Sequence, residues 1–343
     1  MCGDPEVQSL LAHLAASGRP SSLTLPLEEG RRNFTDLMVS LAEPEPAGET
    51  TETQVPGPAG PIPVRVYRPA PSEQGTPPLV AFFHGGGWVF GGLDSHDPMC
   101  RGLLRHSGAV VVAVDYRRPP EAPFPAAFED CLAVVEYLRD HGGALGGDPE
   151  RMAVAGDSSG GNLAAAVSLS LRGTASPLRL QLLFYPALDP RMSSPSYHEH
   201  ADDPFLSRAE MEQYWPRYLG GSVGAPSPFA APALADDLAG VAPAHITVAG
   251  QDPLRDDGLA YRHQLAAAGV PVELVRHDEM VHGFLSFTKW LNAGRQGIVD
   301  AGRALRSALD ARGGDPAHDE ARQEEGGQEE GGDEDGGHEE GAQ

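Results

Sequence analysis

The sequence predicts an α/β fold in which helices cover both faces of a mostly parallel sheet. From residue 78 onward, short and almost fully apolar runs alternate with segments of helical periodicity, the pattern of parallel strands buried on both sides. Glycine-rich turns follow several of these runs. The chain of 343 residues is 40% hydrophobic and 22% charged, which fits one large globular domain and excludes a collagen-like or wholly disordered protein.

Residues 1–50 are predicted to form an N-terminal helical segment. The Pro-rich residues 44–58 end the helical pattern. Residues 62–66 then alternate between apolar and other side chains, which predicts an antiparallel strand with Arg65 and Tyr67 on a solvent-facing side. The apolar residues at helical spacing in the first segment are Val7, Leu10, Leu11 and Leu14, then Phe34, Leu37, Met38 and Leu41.

The central domain is predicted to span residues 51–312. An insertion at about residues 190–225 interrupts it with a polar loop and an aromatic helix at residues 207–219, and an excursion of that length typically forms a lid or binding element. The remaining order of elements predicts a doubly wound sheet. Its strands are expected at residues 79–83, 109–114, 152–155, 180–184, 245–248 and 272–275, and its helices at residues 130–138, 162–171, 256–268 and 292–311.

Residues 313–343 form a distinct acidic tail. This stretch holds twelve acidic residues and one arginine, repeats Glu-Glu-Gly-Gly units, and lacks aromatic and β-branched residues. It cannot bury enough apolar surface to offset the entropy of ordering, so we expect it to be disordered. The whole chain carries a net charge of −24, which disfavours nucleic acids and anionic membrane surfaces as partners.

Targeting and redox signals favour the cytoplasm. No apolar run approaches the roughly 18 to 20 residues of a bilayer span, and residues 1–14 carry acidic groups where a secretory signal is basic and apolar. The three cysteines are too few and too irregularly spaced for a disulfide framework, and no Cys-x-x-Cys pair indicates zinc. We therefore predict a cytoplasmic protein.

A Gly-x-Ser-x-Gly pentapeptide supplies the strongest chemical signal. It spans Gly156 to Gly160, between a predicted strand and a predicted helix. This is the arrangement of a nucleophile elbow, in which glycines on both sides of the serine remove side chains that would clash in a very tight turn. A phosphate-binding or simply Gly-rich turn is the alternative. The elbow would present Ser158 at the carboxyl edge of the sheet.

A second glycine run follows the strand at residues 79–83. It reads, in order, His84, Gly85, Gly86, Gly87 and Trp88. Attack of a serine on an ester carbonyl builds negative charge on the carbonyl oxygen, and bare backbone N–H groups can approach that oxygen closely. We predict that the three glycines and the amide of Ser159 form an oxyanion hole, and that His84 orients the loop.

Two further residues complete the predicted chemistry of Ser158. A serine becomes nucleophilic when a histidine accepts its proton and a carboxylate orients that histidine. Asp252 follows the strand at residues 245–248, and His282 follows the strand at residues 272–275. Both lie beyond the carboxyl end of a strand, where open α/β sheets place ligands. We therefore predict a catalytic triad of Ser158, Asp252 and His282.

With these motifs, residues 1–311 resemble the hormone-sensitive-lipase-like carboxylesterases of the α/β-hydrolase fold. Residues 115–126 are also similar to the family's Y-R-L-A-P-E-x-x-F-P-A element, with differences at Arg118 and Pro119. The resemblance implies the same triad and oxyanion hole, a helical cap built from the N-terminal helices and the insertion, and often a homodimer. The family usually has alanine at the position of Ser159, a difference that leaves the backbone N–H in place.

The implied activity is hydrolysis of small-molecule carboxylic esters through an acyl-enzyme, without a metal or organic cofactor. We expect short- to medium-chain acyl groups of roughly four to eight carbons in a compact apolar pocket. Two alternatives stay open: an amidase or deacetylase acting on an acylated small molecule, and a ligand receptor on an inactive hydrolase scaffold. The residues predicted to line the pocket are Trp88, Phe90, Tyr185, Phe205, Leu206 and Trp215.

Overall fold

The apolar runs of the sequence form the centre of one sheet in the structure, which is a computed structural model. Within the described residues, the strands are β1 (Glu49–Val55), β2 (Ile62–Arg68), β3 (Pro78–Phe83), β4 (Val110–Val114), β5 (Asp148–Asp157), β6 (Leu178–Phe184), β7 (Ala244–Gln251) and β8 (Val272–Val281). They lie in the order β1-β2-β4-β3-β5-β6-β7-β8. The β1–β2 and β2–β4 pairs are antiparallel and the other pairs are parallel, so the predicted mostly parallel sheet is confirmed.

The part of the chain that the structure describes has several gaps. It covers residues 3–310, apart from residue 47, residues 72–74, residues 175–177 and residue 222. The acidic tail predicted at residues 313–343 lies outside the described residues. None of the helices in the described residues combines the length with the apolar composition of a membrane span.

Helices cover both faces of the sheet, as the sequence predicts. They are α1 (Pro5–Ser17), α2 (Leu27–Leu41), α3 (Asp97–Ser107), α4 (Ala126–His141), α5 (Ser159–Ser170), α6 (Ser196–Glu199), α7 (Arg208–Leu219), α8 (Arg255–Ala267) and α9 (Asn292–Asp310). Helices α4, α5 and α8 pack on one face, and α1, α3 and α9 pack on the other. Helix α9 buries Ile298, Ala301, Leu305 and Leu309, whose spacing of three to four residues forms one apolar stripe.

Alternation along the strands divides the core into two layers. In β3, Leu79, Ala81 and Phe83 join the layer of α5, while Val80 and Phe82 join the layer of α3. All five side chains are buried, as expected for a central parallel strand. Because β5, β7 and β8 run parallel, the residues that follow them emerge at the same edge of the sheet.

Two details near the N-terminal edge of the sheet differ from the prediction. Strand β1 lies within the Pro-rich residues 44–58, where the sequence pattern predicts no strand. Only Val55 of this strand is buried, so the exposed edge strand carries no apolar alternation that could reveal it. Tyr67, predicted on a solvent-facing side, is fully buried because α3 covers this part of β2, and its hydroxyl donates to Asp97 at 3.0 Å.

The insertion at about residues 190–225 contains α6 and α7, and its aromatic side chains pack inward. The ring of Trp215 lies 4.6 Å from that of Trp88, in the loop that follows β3. Helix α2 reaches the same loop, since Phe34 stacks on Phe90 with ring centres 5.8 Å apart. The N-terminal helices and the insertion therefore both contact the loop after β3.

Candidate active site

The turn between β5 and α5 carries the predicted nucleophile. β5 ends at Asp157 and α5 begins at Ser159, so Ser158 makes the turn, with φ +55° and ψ −117°. A non-glycine residue with positive φ is strained, and the strain persists only where surrounding contacts enforce it. Here the Ser158 amide donates to the carbonyl of Phe184 at 2.8 Å. The turn thus holds Ser158 at the carboxyl edge of the sheet.

Gly156 and Gly160 stand where this turn leaves no room for a side chain. A Cβ at Gly156 would collide with the carbonyl oxygen of Gly160, and a Cβ at Gly160 would collide with the carbonyl oxygen of Phe83. Both obstacles are backbone atoms, which cannot rotate away. The glycines of the pentapeptide are therefore required by close approach of three chain segments.

We expect Gly160→Ala to lower the free energy of unfolding by about 3 kcal/mol, because the methyl group would displace the β3 backbone at Phe83. Urea denaturation followed by circular dichroism measures the change. Gly143→Ala is the matched control, since a Cβ there meets no atom within 4 Å, and we expect it to shift stability by less than about 1 kcal/mol. A Gly160→Ala protein of wild-type stability would contradict the close contact.

The ends of β7 and β8 bring a carboxylate and an imidazole to the serine. His282 Nε2 lies 3.0 Å from Ser158 Oγ, and His282 Nδ1 lies 2.8 Å from Asp252 Oδ2. The other oxygen, Asp252 Oδ1, accepts the amide N–H of Leu254 at 2.8 Å, which holds the carboxylate in place. All three members are buried. The structure therefore joins the three predicted triad residues in one hydrogen-bonded path, the geometry of a nucleophile, a base and an orienting acid.

The surroundings of His282 set its proton affinity. Burial lowers the pKa of His282, but the nearby carboxylates together outweigh burial, and the pKa lies above its usual 6.5. Asp252 contributes most through its charge and hydrogen bond, and the charges of Asp203, from the insertion, and Asp157 act in the same direction. Burial raises the pKa of Asp203 to about 7. Its carboxylate accepts hydrogen bonds from the amides of Phe205 and Leu206, which act in the opposite direction and lower this pKa. The imidazole is consequently neutral, and able to accept a proton, only above its raised pKa.

The loop after β3 places bare amides beside the elbow. Gly86 and Gly87 adopt φ +111° and +59°, which glycine does at little cost. A Cβ at Gly86 would collide with the carbonyl of Phe90, and one at Gly87 with the ring of Tyr214 in α7. Among the described residues, neither the Gly86 nor the Gly87 amide donates to another protein group. Both N–H groups are thus available to a ligand.

Gly85 differs from the prediction. Its amide donates to Asp157 Oδ1 at 2.8 Å, and an N–H held by a carboxylate is not free to bind an oxyanion. The predicted role of Gly85 as a donor is therefore wrong, and Gly85 instead anchors the loop. His84 anchors it as well, since its carbonyl accepts the hydroxyl of Tyr116 at 2.7 Å and the two rings stack at 4.2 Å.

A buried pair beside the loop is not among the predicted site residues. The Asp157 carboxylate lies 3.2 Å from His96 Nε2, and His96 Nδ1 lies 2.8 Å from Ser95 Oγ. The position of Asp157 inside the pentapeptide is a signal that could have drawn attention to it. His96 stands in a polar stretch with no spacing that relates it to the elbow, so only the tertiary contact reveals it.

The six residues predicted to line an acyl pocket fall into two groups. Phe205 and Leu206 retain accessible surface, and the Phe205 ring packs on Phe287 at 4.8 Å. The other four are almost completely buried, and the Tyr185 ring lies edge-on to that of His282 with ring centres 4.8 Å apart. Direct contact with an acyl group stays a prediction for all six residues, and the accessible surface favours Phe205 and Leu206. Side chains at most 1% exposed are Trp88, Phe90, Tyr185 and Trp215.

Comparisons with known proteins agree with this geometry. Residues 80–286 match the family described as alpha/beta hydrolase fold. Esterase LipI of Mycobacterium tuberculosis is 41% identical over 287 residues, which cover 82% of this chain and 89% of the relative. Ethyl acetate hydrolase of Pseudomonas putida is 33% identical over 322 residues, covering 89% and 99%. The solved hyperthermophilic esterase of the archaeon Pyrobaculum calidifontis is 36% identical, with TM-score 0.83 and coverage of 90% and 99%.

A doubly wound sheet with a Ser–His–Asp path at its carboxyl edge defines a serine hydrolase of the α/β-hydrolase class. The chain belongs to the hormone-sensitive-lipase-like carboxylesterases within that class, and it is a carboxylic ester hydrolase. The predictions of fold, family and enzyme class are thereby confirmed.

Proposed function

We propose that Ser158, His282 and Asp252 act as nucleophile, base and orienting acid in the hydrolysis of short- to medium-chain carboxylic esters. The main support for this proposal is a pair of hydrogen-bond contacts. Ser158 Oγ lies 3.0 Å from His282 Nε2, and His282 Nδ1 lies 2.8 Å from Asp252 Oδ2. Removal of the serine hydroxyl is the decisive test, and its expected outcome opens the Discussion.

The proposed reaction proceeds in two stages. His282 Nε2 takes the proton of Ser158 Oγ while that oxygen attacks the ester carbonyl, and Asp252 stabilises the imidazolium. The bond to the alcohol oxygen then breaks, and the imidazolium protonates that oxygen. In the second stage His282 deprotonates a water that attacks the acyl-enzyme. Ser158 Oγ leaves with the returned proton, and the carboxylic acid is released.

The proposed oxyanion hole consists of the amides of Gly86, Gly87 and Ser159. Ser159 is the first residue of α5, where an amide has no acceptor within its own helix and lies at the positive end of the helix dipole. A preorganised donor of this kind typically contributes about 10²- to 10³-fold to kcat.

The predicted domain organisation stays a proposal: residues 1–50 and the insertion at 190–225 form a cap over the catalytic domain at residues 51–312. Contacts of both segments with Phe90 support it. Its ring lies 5.8 Å from that of Phe34 in α2 and 6.1 Å from that of Tyr214 in α7. A cap in these positions would close over the loop that carries the oxyanion donors.

We expect kcat/KM to be highest for p-nitrophenyl esters with acyl chains of roughly four to eight carbons. Phe205 and Leu206 would meet the chain, and the packing of Phe205 on Phe287 would limit its length. The name of the ethyl acetate hydrolase relative also supports a preference for small esters. Measurement of kcat/KM for p-nitrophenyl esters of increasing acyl length tests this preference. A steady rise toward long-chain triglycerides at an oil interface would contradict it, and faster cleavage of the matching anilide would favour an amidase.

We also propose that the protein forms a homodimer and resides in the cytoplasm. β8 lies at one end of the strand order, so its outer side can pair with a second copy. Cys100 and Cys131 are buried free thiols, as a reducing compartment permits. Light scattering should give twice the chain mass of 36.2 kDa, and cell fractionation should find activity in the cytosol. A monomer, or activity outside the cytosol, would refute the respective proposal.

A further inference from the structure

We propose that His96 and Asp157 form a positioning pair that holds the oxyanion loop against the nucleophile elbow. This inference rests on the oxyanion hole proposed above. Neither side chain is placed to touch the reacting atoms, so both act through the backbone that they hold. The loop is defined here as residues 84–88.

Asp157 connects the two backbone segments that supply the oxyanion donors. It directly precedes Ser158 in the elbow, and its Oδ1 accepts the Gly85 amide at 2.8 Å. The fit is close, since a Cβ at Gly85 would collide with Asp157 Oδ2. One carboxylate therefore fixes the amides of the loop relative to the amide of Ser159.

His96 holds the same carboxylate, and its ring lies 5.7 Å from the ring of His84 in the loop. Its Nε2 lies 3.2 Å from Asp157 Oδ1 and 3.3 Å from Oδ2, and its Nδ1 lies 2.8 Å from Ser95 Oγ. Ser95 Oγ also accepts the Gly92 amide at 3.0 Å and lies 2.9 Å from the Gly92 carbonyl oxygen. The imidazole is thus held at both nitrogens.

Hydrogen-bond accounting identifies His96 Nε2 as the donor to Asp157. An ionised carboxylate only accepts, so His96 donates from Nε2. The Ser95 hydroxyl has one proton to donate. If it goes to the Gly92 carbonyl, His96 also donates from Nδ1; if it goes to Nδ1, His96 accepts there. In both cases the Nε2–H bond to Asp157 is present.

Because both side chains are buried, loss of the bond between His96 and Asp157 would weaken binding of the transition state. Asp157 is 4% exposed and His96 is 2% exposed, and a buried carboxylate that loses a donor is strongly destabilised. Without His96, Asp157 would shift and release Gly85, or would stay as a less compensated negative charge beside the developing oxyanion. Either change weakens binding of the transition state more than binding of the ester, so kcat falls while KM changes little.

The test compares His96→Leu with His96→Gln, because the glutamine amide can donate at the place of Nε2. We expect His96→Leu to lower kcat about 10- to 100-fold with KM within about threefold. Affinity for a trifluoromethyl ketone, which forms a tetrahedral adduct, should fall by the same factor, and His96→Gln should recover most of both. The acid limb of the pH profile should move little, because Asp252, which contributes most to the raised pKa of His282, is unchanged, and Asp157 contributes less.

His245→Leu is the matched control. His245 is also a buried histidine beside a carboxylate, 3.1 Å from Glu273, but it lies at the opposite end of β7 from Asp252. We expect its kcat to equal that of the wild type. A similar loss of kcat in His245→Leu would mean that any buried histidine pair affects activity through stability, and would overturn the assignment.

A double-mutant cycle with Asp157→Ala keeps the proposal testable if one variant folds poorly. Both substitutions break the same bridge, so the double variant should lose no more kcat than the worse single variant. Additive losses, wild-type kcat in His96→Leu, or a kcat loss with unchanged ketone affinity would each refute the positioning role. Absence of esterase activity in the wild type would instead refute the proposed function and is a separate outcome.

Discussion

Ser158→Ala is expected to lower kcat for ester hydrolysis by about 10⁶-fold and to leave the fold intact. The change removes the attacking oxygen, and the hydrogen bond lost with it is the one of 3.0 Å to His282. Cβ is retained, so the strained turn at φ +55° is populated as before. Turnover of p-nitrophenyl butyrate measures the loss. A phosphonate ester should add one covalent group to the wild type and none to the variant.

Ser170→Ala is the control for this experiment. Ser170 is the last residue of α5, the helix that begins directly after the nucleophile, and its substitution should leave turnover and labelling unchanged. Equal turnover by Ser158→Ala and the wild type would show that Ser158 is not the nucleophile. Labelling of Ser158→Ala with parallel loss of activity would place the nucleophile at another residue.

Asp252→Asn is expected to lower kcat by about 10⁴-fold, because the asparagine amide favours the wrong tautomer of His282. It should also move the acid limb of kcat/KM. Neutral His282 is the active form, and Asp252 holds the pKa of His282 above 6.5 against the effect of burial. Loss of that charge lowers the pKa of His282, because only the weaker effects of Asp203 and Asp157 then oppose burial, so the limb moves to lower pH. Profiles between about pH 5 and pH 9 measure the shift.

Asp256→Asn serves as the matched control for the pH experiment. Asp256 lies four positions further along, in the first turn of α8, and its carboxylate accepts the Ser196 amide at 2.9 Å. Its variant should keep the wild-type limb and a kcat within about twofold of the wild type. An acid limb that stays in place in Asp252→Asn would mean that another group sets the proton affinity of the base.

The fold and the triad could be predicted because each leaves a local signature in the sequence. Apolar runs that alternate with helical patterns indicate a parallel sheet. The elbow needs glycine at positions 156 and 160 for steric reasons alone. Asp252 and His282 follow buried strands, and the topology of such sheets brings those positions to one edge. These inferences use the backbone and need no knowledge of side-chain contacts.

The errors arise where side-chain contacts between distant segments decide the outcome. Gly85 has the same local context as Gly86 and Gly87, and only the approach of Asp157 at 2.8 Å removes its amide from the proposed oxyanion hole. Tyr67 lies in an alternating strand, and only the packing of α3 buries it. His96 likewise carries no local sign of its partner. Sequence periodicity does not reveal side-chain contacts between segments that are distant in the chain.

The fit of the Tyr214 ring against Gly87 has a practical consequence for redesign. In this arrangement the ring occupies the space of a Cβ at that glycine, so a side chain at Gly87 would displace the ring, and a smaller residue at Tyr214 would remove the packing beside Gly87. Libraries that aim to change acyl preference should therefore diversify Phe205 and Leu206 and keep Tyr214 constant. Changes at Tyr214 would otherwise inactivate pocket variants by displacing the Gly87 amide, which we propose as an oxyanion donor.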